Sequence, residues 1–306
     1  MENIVYHIPA LLEESIAALN IQPSGTYADA TFGGGGHSRA ILSCLGPSGR
    51  LFGFDRDADA RQNVPDDTRF TFVYSNFRFM RNFMRFYGIE DFNGILADLG
   101  VSFHHFDDEN RGFSFRSDSP LDMRMNQSQQ TTAGILLNEL SDKEITNLLK
   151  LYTDLKRPAL IAQRIVKARE NQTIDTTGQL TEILQPVLNP KNLKKELAQV
   201  FQAIRIEVNG EMDALKSFLK STPSMLKPGG RLAILTYHSI EDRIVKNFMK
   251  TGSVNGEEEK DFFGKSLSPW KMITRSPITP TENEIERNPR ARSAKLRVAE
   301  YIGPNH

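Results

Sequence analysis

Two spacings of apolar residues alternate along the first hundred positions. Short runs bounded by turn residues, at 27–30, 50–54, 69–74 and 94–97, read as strands buried on both faces. Between them, apolar positions three and four apart mark helices: Ile8, Leu12, Ile16 and Leu19 behind Pro9, then 38–45, a polar helix from Arg56, and 79–87. Past 97 this alternation stops. Helical patterns follow one another: 136–140, a segment opened by the capping box Ser141-x-x-Glu144, a third from Pro158 to 169, and others near 180–188 and 192–201. The strand pattern resumes after an amphipathic helix that starts near 201 and is closed by Lys227-Pro228-Gly229-Gly230. A fifth strand is expected at 231–236 and the last two at 270–273 and 295–301. The expected architecture is α/β, with a core in two parts, 1–108 and 206–306, around an all-helical insertion at 109–205 that serves substrate recognition.

The chemistry concentrates where strand 27–30 meets helix 38–45. Gly33 to Gly36 supply backbone freedom and remove side chains, so a ligand can lie on the loop and the helix N-terminus. The next strand ends at Asp55, placed to accept hydrogen bonds from ribose hydroxyls. A dinucleotide loop needs G-x-G-x-x-G, and here the third position holds Ser38 or Arg39. Asp29, before the loop, would repel a pyrophosphate but attract the ammonium of a methionine moiety. These features favour S-adenosylmethionine over a dinucleotide. Further along, Phe77 follows the third strand, where an aromatic face can stack on adenine, and Asp98 ends the fourth. Asp29, Asp55 and Asp98 are thus expected on one rim.

Composition narrows this reading little. The 306 residues are 39% hydrophobic and 25% charged with zero net charge, so any surface for a polyanion has to be local. One such stretch is RNPRARSAKLR at 287–297, basic and free of acids, in which Arg290, Arg292 and Lys295 are candidate RNA contacts. Its first half reads as loop; the competing reading pairs these arginines with Glu282, Glu284 or Glu286. The single cysteine, Cys44, excludes an internal disulfide and reads as a small buried residue. Adjacent His104 and His105 lack a second cluster, so no metal is expected. Glu2 and the Glu13-Glu14 pair argue against a signal peptide, and no apolar run approaches ~18 residues; a cytoplasmic protein without a membrane is expected. His238, at the end of the fifth strand, is either functional or a hydrogen-bonded structural histidine, and Ser239 is expected to cap the helix that follows, with Asp242 at its third position.

Seven blocks in order resemble one family: DATFGGGGHSR, FGFDRD, ADLGVS, RGFSFRSDSPLDMRM, FQAIRIEVNGE, GGRLAILTYHSIEDRIVK and NPRARSAKLRVAE. Together they are similar to the bacterial ribosomal RNA small-subunit methyltransferase H (MraW) family. The resemblance implies a Rossmann-like class I S-adenosylmethionine-dependent methyltransferase core. It implies methylation of the exocyclic N4 of a cytidine in the decoding region of 16S rRNA, with 16S rRNA or the small ribosomal subunit as partner. Cofactor contacts carry over to Gly35, Gly36, His37, Asp55, Phe77 and Asp98. The position of the family's loop glutamine holds His105, and the family's Gly-Glu-Glu reads Thr153-Asp154-Leu155.

An aromatic amine is a weak nucleophile because its lone pair is delocalised, so an acceptor for its proton is needed. The usual amino-methyltransferase tetrad, Asp or Asn followed by two prolines, is replaced by Asp98-Leu99-Gly100-Val101. Asp98 is the candidate acceptor. Two other classes compete: an RNA-binding ribosome-assembly factor without turnover, and a nucleotide-dependent dehydrogenase, which the missing third glycine disfavours.

Overall fold

The computed structural model describes residues 9–100 and 109–303. The chain divides into two compact units, one built from Met1–Gly100 with Met212–His306 and the other from Val101–Glu211.

In the first unit, the described strands are β1 (Thr26–Asp29), β2 (Arg50–Asp55), β3 (Phe70–Tyr74), β4 (Phe92–Asp98), β5 (Leu226–Thr236), β6 (Trp270–Met272) and β7 (Lys295–Tyr301). They form one sheet in the order β3-β2-β1-β4-β5-β7-β6. Strands β1 to β5 run parallel, and β7 runs antiparallel to both β5 and β6. The central strands are buried almost throughout, as parallel strands covered on both faces must be. The strand order reverses between β1 and β4, and in open α/β sheets ligands bind in the crevice beyond the carboxyl ends at such a point. Strand β5 starts earlier than its apolar run suggests: Lys227 to Gly230 are already extended, and the ladder with β4 shifts register between Phe92 and Gly94.

Helices α1 (Leu12–Leu19), α2 (Gly36–Cys44) and α3 (Met80–Phe86) belong to this unit. The polar segment after β2 is a 3-10 turn, Ala58–Asn63. On α2, Ile41 and Leu42 turn inward while Cys44 is exposed. The expectation of a buried cysteine fails because 100° per residue carries positions 43 and 44 around to the solvent face.

The second unit contains α4 (Ala133–Glu139), α5 (Asp142–Tyr152), α6 (Pro158–Arg169), α7 (Thr177–Leu184) and α8 (Leu193–Asn209). Sequence chemistry sets their starts. Ser141 and Glu144 form the reciprocal capping box of α5, Thr176 and Gln179 form one for α7, and Pro158 opens α6. One hydrocarbon cluster, including Leu137, Leu148, Ile161, Ile165, Leu180, Leu184 and Phe201, fills the interior. The helix expected to run on from 201 ends instead at Asn209: Gly210 takes φ 56°, a left-handed C-cap, and α9 (Glu211–Ser221) begins anew. The chain then continues into α10 (Ser239–Thr251) and α11 (Glu282–Arg287) of the first unit.

Candidate active site

Strand register sets the depth of each carboxylate. Asp29 pairs with Gly53 on β2 and with Leu96 on β4, so Asp55 and Asp98 each lie two residues further toward the carboxyl edge. Two residues keep a side chain on the same face and move it roughly 6–7 Å along the strand. Asp29 is therefore not on the rim. It is 1% exposed, its Oδ1 accepts the Thr31 N–H at 3.1 Å and its Oδ2 the Ser38 hydroxyl at 2.7 Å. Burial raises its pKa, partly offset by His37. Through these two bonds Asp29 ties the segment after β1 to α2, a structural role the sequence reading did not assign it.

Within that loop, Gly33 and Gly35 hold φ of 48° and 73°, values that L side chains rarely adopt. A Cβ on Gly35 would also press on Phe32 and Arg39. The loop carbonyls are held from behind, Gly34 by the Arg39 guanidinium at 2.6 Å and Gly33 by the Asn63 amide at 3.0 Å. Asp55, at the end of β2, accepts the Gly33 N–H at 2.7 Å and the Asp57 N–H at 2.8 Å. It thereby fixes the loop to the second strand. Phe77 opens a 3-10 turn after β3, half-buried, with its ring edge-on to Phe218 at 5.2 Å.

Asp98 faces the loop across the switch point. Its N–H donates to the Thr31 hydroxyl at 2.6 Å, joining the ends of β4 and β1. Its Oδ1 accepts the Gly100 N–H at 3.3 Å, and its Oδ2 lies 3.8 Å from His37 Nδ1. Burial raises the Asp98 pKa, and His37 and a hydrogen bond from Tyr237 oppose that rise. His37, 5% exposed at the start of α2, has a buried Nε2 with no hydrogen-bond partner among the described residues. A buried polar atom without a protein partner beside a glycine cradle offers a hydrogen bond to a polar group laid on the loop.

Sequence reasoning missed the third side of this site. Asp98 pairs with Leu235, which places Tyr237 one strand repeat beyond it, and a Cβ on Gly100 would meet both Tyr237 Cε2 at 2.8 Å and Asp98 Oδ1 at 3.3 Å. Glu241, 2% exposed on α10, accepts the Tyr237 N–H at 3.0 Å and lies 3.0 Å from His238 Nε2. His238, rather than Ser239, caps α10: its Nδ1 accepts the Glu241 N–H at 3.4 Å. The legible signal was Tyr237-His238 directly after an apolar run, at the strand edge where ligands bind.

The basic segment divides. Arg297 is 4% exposed and bonded to both oxygens of Asp242, at 2.7 and 3.1 Å, and Lys295 lies 3.6 Å from the same carboxylate. Burial would raise the Asp242 pKa, but Arg297 and Lys295 outweigh it and hold the carboxyl low. Arg290 and Arg292 are exposed on a 3-10 turn, Pro289–Ser293, where a loop was expected. His105 lies outside the described residues.

With this geometry in view, comparison with known proteins decides the family. The model of the MraW methylase family matches residues 4–302. The chain belongs to the MraW methylase family. Relatives in this family include the ribosomal RNA small subunit methyltransferase H of Bacteroides thetaiotaomicron, 55% identical over 299 residues that cover 98% of each chain. That of Parabacteroides distasonis is 55% identical over 97% of this chain and 98% of its own. That of Porphyromonas gingivalis (strain ATCC 33277) is 52% identical over 97% of each. Every element of the site described above falls within the residues that the MraW family model matches.

Proposed function

We propose that this protein transfers a methyl group from S-adenosylmethionine to the exocyclic N4 of a cytidine in 16S rRNA. The observation that carries the reading is the placing of Asp55 and Asp98 at equal depth on either side of a glycine loop, at the switch point of a methylase-family sheet. The Gly33 and Gly35 backbone and the unpaired His37 Nε2 fit such a cofactor, with Asp55 on the ribose, Phe77 beside the adenine, and Gly35, Gly36 and His37 along the loop. When bound, the cofactor supplies an electrophilic methyl on a sulfonium.

The chain's own task is to orient the amine and take up its proton. Asp98 accepts an amino proton, so the nitrogen lone pair is no longer withheld in the ring during attack. The relatives are named for ribosomal RNA of the small subunit, and this supports the same substrate class here. Arg290 and Arg292, exposed beside the buried Arg297 pair, with Lys295 at its edge, contact RNA phosphate. The helical unit, inserted after the strand that ends in Asp98, contributes substrate recognition.

Incubating the protein with methyl-labelled cofactor and small-subunit RNA, naked or assembled, tests the reading. Label recovered as N4-methylcytidine is expected. Cofactor binding without transfer to either form would instead leave an RNA-binding assembly factor.

A further inference from the structure

From Thr68 to Ile89 the chain carries four arginines and no acid, in a protein whose charges otherwise balance. Arg69 is paired with Asp67. The other three, Arg78, Arg81 and Arg85, are exposed, and none has a carboxylate partner among the described residues. At roughly 100° per residue, positions 78, 81 and 85 fall within about 60° of one another on α3 and the 3-10 turn that leads into it. A second stripe runs beside them. Phe79 and Phe86 repeat the seven-residue spacing and are 46% and 79% exposed, while Met80 and Met84 supply the buried face of α3. The Arg78 guanidinium lies over the Phe79 ring at 5.1 Å, and that of Arg61 over Tyr74, the exposed last residue of edge strand β3, at 4.6 Å.

A solvated helix face ordinarily mixes both signs of charge and leaves few aromatic rings open. This face does neither. Guanidinium groups in one stripe and open rings in the next match a strand whose phosphates repeat along one side and whose unstacked bases project from the other. A duplex would meet the arginines but offer the rings no base faces, and an acidic protein would offer no repeating stack. We propose that the exposed face of α3 is a docking surface for single-stranded RNA, with Arg78, Arg81 and Arg85 on phosphates and Phe79 and Phe86 stacked on bases. Because α3 follows the turn that holds Phe77, beyond the carboxyl end of β3, a strand laid on it leads to the edge where Asp55 and Asp98 end. The proposal rests on the reading above for the identity of the polyanion as RNA, and adds where nucleotides flanking the target run.

Fluorescence anisotropy with a labelled single-stranded RNA of about 12 nucleotides, and with the same sequence as a blunt duplex, tests it. For Arg81→Ala/Arg85→Ala, the log–log salt slope of single-strand binding is expected to fall in magnitude by about 1.4, two phosphates' worth of released counterions. Phe86→Leu keeps apolar bulk and loses the flat face. It weakens single-strand binding about 5- to 150-fold at every salt concentration with the slope unchanged, the scale of one base–aromatic stack, and Phe86→Trp restores it. Cofactor affinity and melting temperature stay at wild-type values in all three, since the altered side chains are exposed. A slope unmoved by the arginine pair overturns the proposal, as does Phe86→Leu binding like wild type or weakening duplex binding equally. Phosphatidylglycerol vesicles that bind wild type and release the arginine variant, with RNA affinity intact, would assign the face to a membrane and overturn it too. The titrations need no cofactor and no turnover. A protein that binds single strands through α3 and methylates no RNA therefore overturns the methyl-transfer reading alone, and one that methylates RNA with its α3 variants indifferent overturns this proposal alone.

Discussion

The two units bury different things. Among the described residues, the helical unit's interior is hydrocarbon, relieved by Ser119, Thr177, Asn209 and one charge, Arg111, which donates to the carbonyls of Arg124 and Met125. The sheet unit buries Asp29, His37, Asp57, Glu241 and the Arg297 partner of Asp242. Burying a carboxylate costs free energy that hydrocarbon packing does not, and such groups persist where partners or function hold them. Asp29 and Arg297 are fully engaged by partners, whereas His37 retains an unpaired nitrogen and Asp98 is only half-buried. The contrast separates a unit whose residues are chosen for packing from one in which chemistry is concentrated at a single strand edge.

Substitutions on the two sides break this contrast or sharpen it. Asp98→Asn leaves the fold intact and lowers kcat by about 10²- to 10⁴-fold, the range for losing a positioned base, as read by single-turnover methyl transfer. Ile165→Ala on α6, where the side chain is wholly buried, costs about 2–5 kcal/mol of helical-unit stability in denaturant titration, with cofactor affinity unchanged. Loss of cofactor binding in that variant would contradict the division of labour. Asp55→Ala weakens S-adenosylmethionine binding by about 1–3 kcal/mol in calorimetry, the worth of charged hydrogen bonds.

The smallest effect is away from both. The half-buried Asp67 carboxyl, hydrogen-bonded by Arg69, is held down to about 2. Its folded pKa lies below the unfolded one, so its contribution is present above the ordinary carboxylate range and is lost as pH falls toward 2. Asp67→Asn should flatten the acid limb of stability over that window without touching activity; an unchanged limb would show the pair to be inert.

The seven strands of the described sheet and the capped helices between β4 and β5 were legible, because parallel strands buried on both faces and capped helices leave local patterns. The loop and Asp55 were legible for the same reason. Depth was not. That Asp29 lies one strand repeat below Asp55 and Asp98 depends on register with two other strands, which no local spacing encodes. The same holds for Tyr237 arriving one repeat beyond Asp98, a register between strands far apart in the chain, and for Arg297 choosing Asp242 over the nearer glutamates. Local competition explains the remaining differences: two residues compete to cap α10, and the imidazole of His238 takes the Glu241 N–H ahead of the Ser239 hydroxyl.

Mass-spectrometric mapping of methylated cytidine in small-subunit RNA, from cells with and without this protein, tests the central claim most directly. The account predicts one N4-methylcytidine lost in the decoding region on deletion, restored by the wild-type chain and not by Asp98→Asn. An identical methylation map in the two cell lines would contradict it.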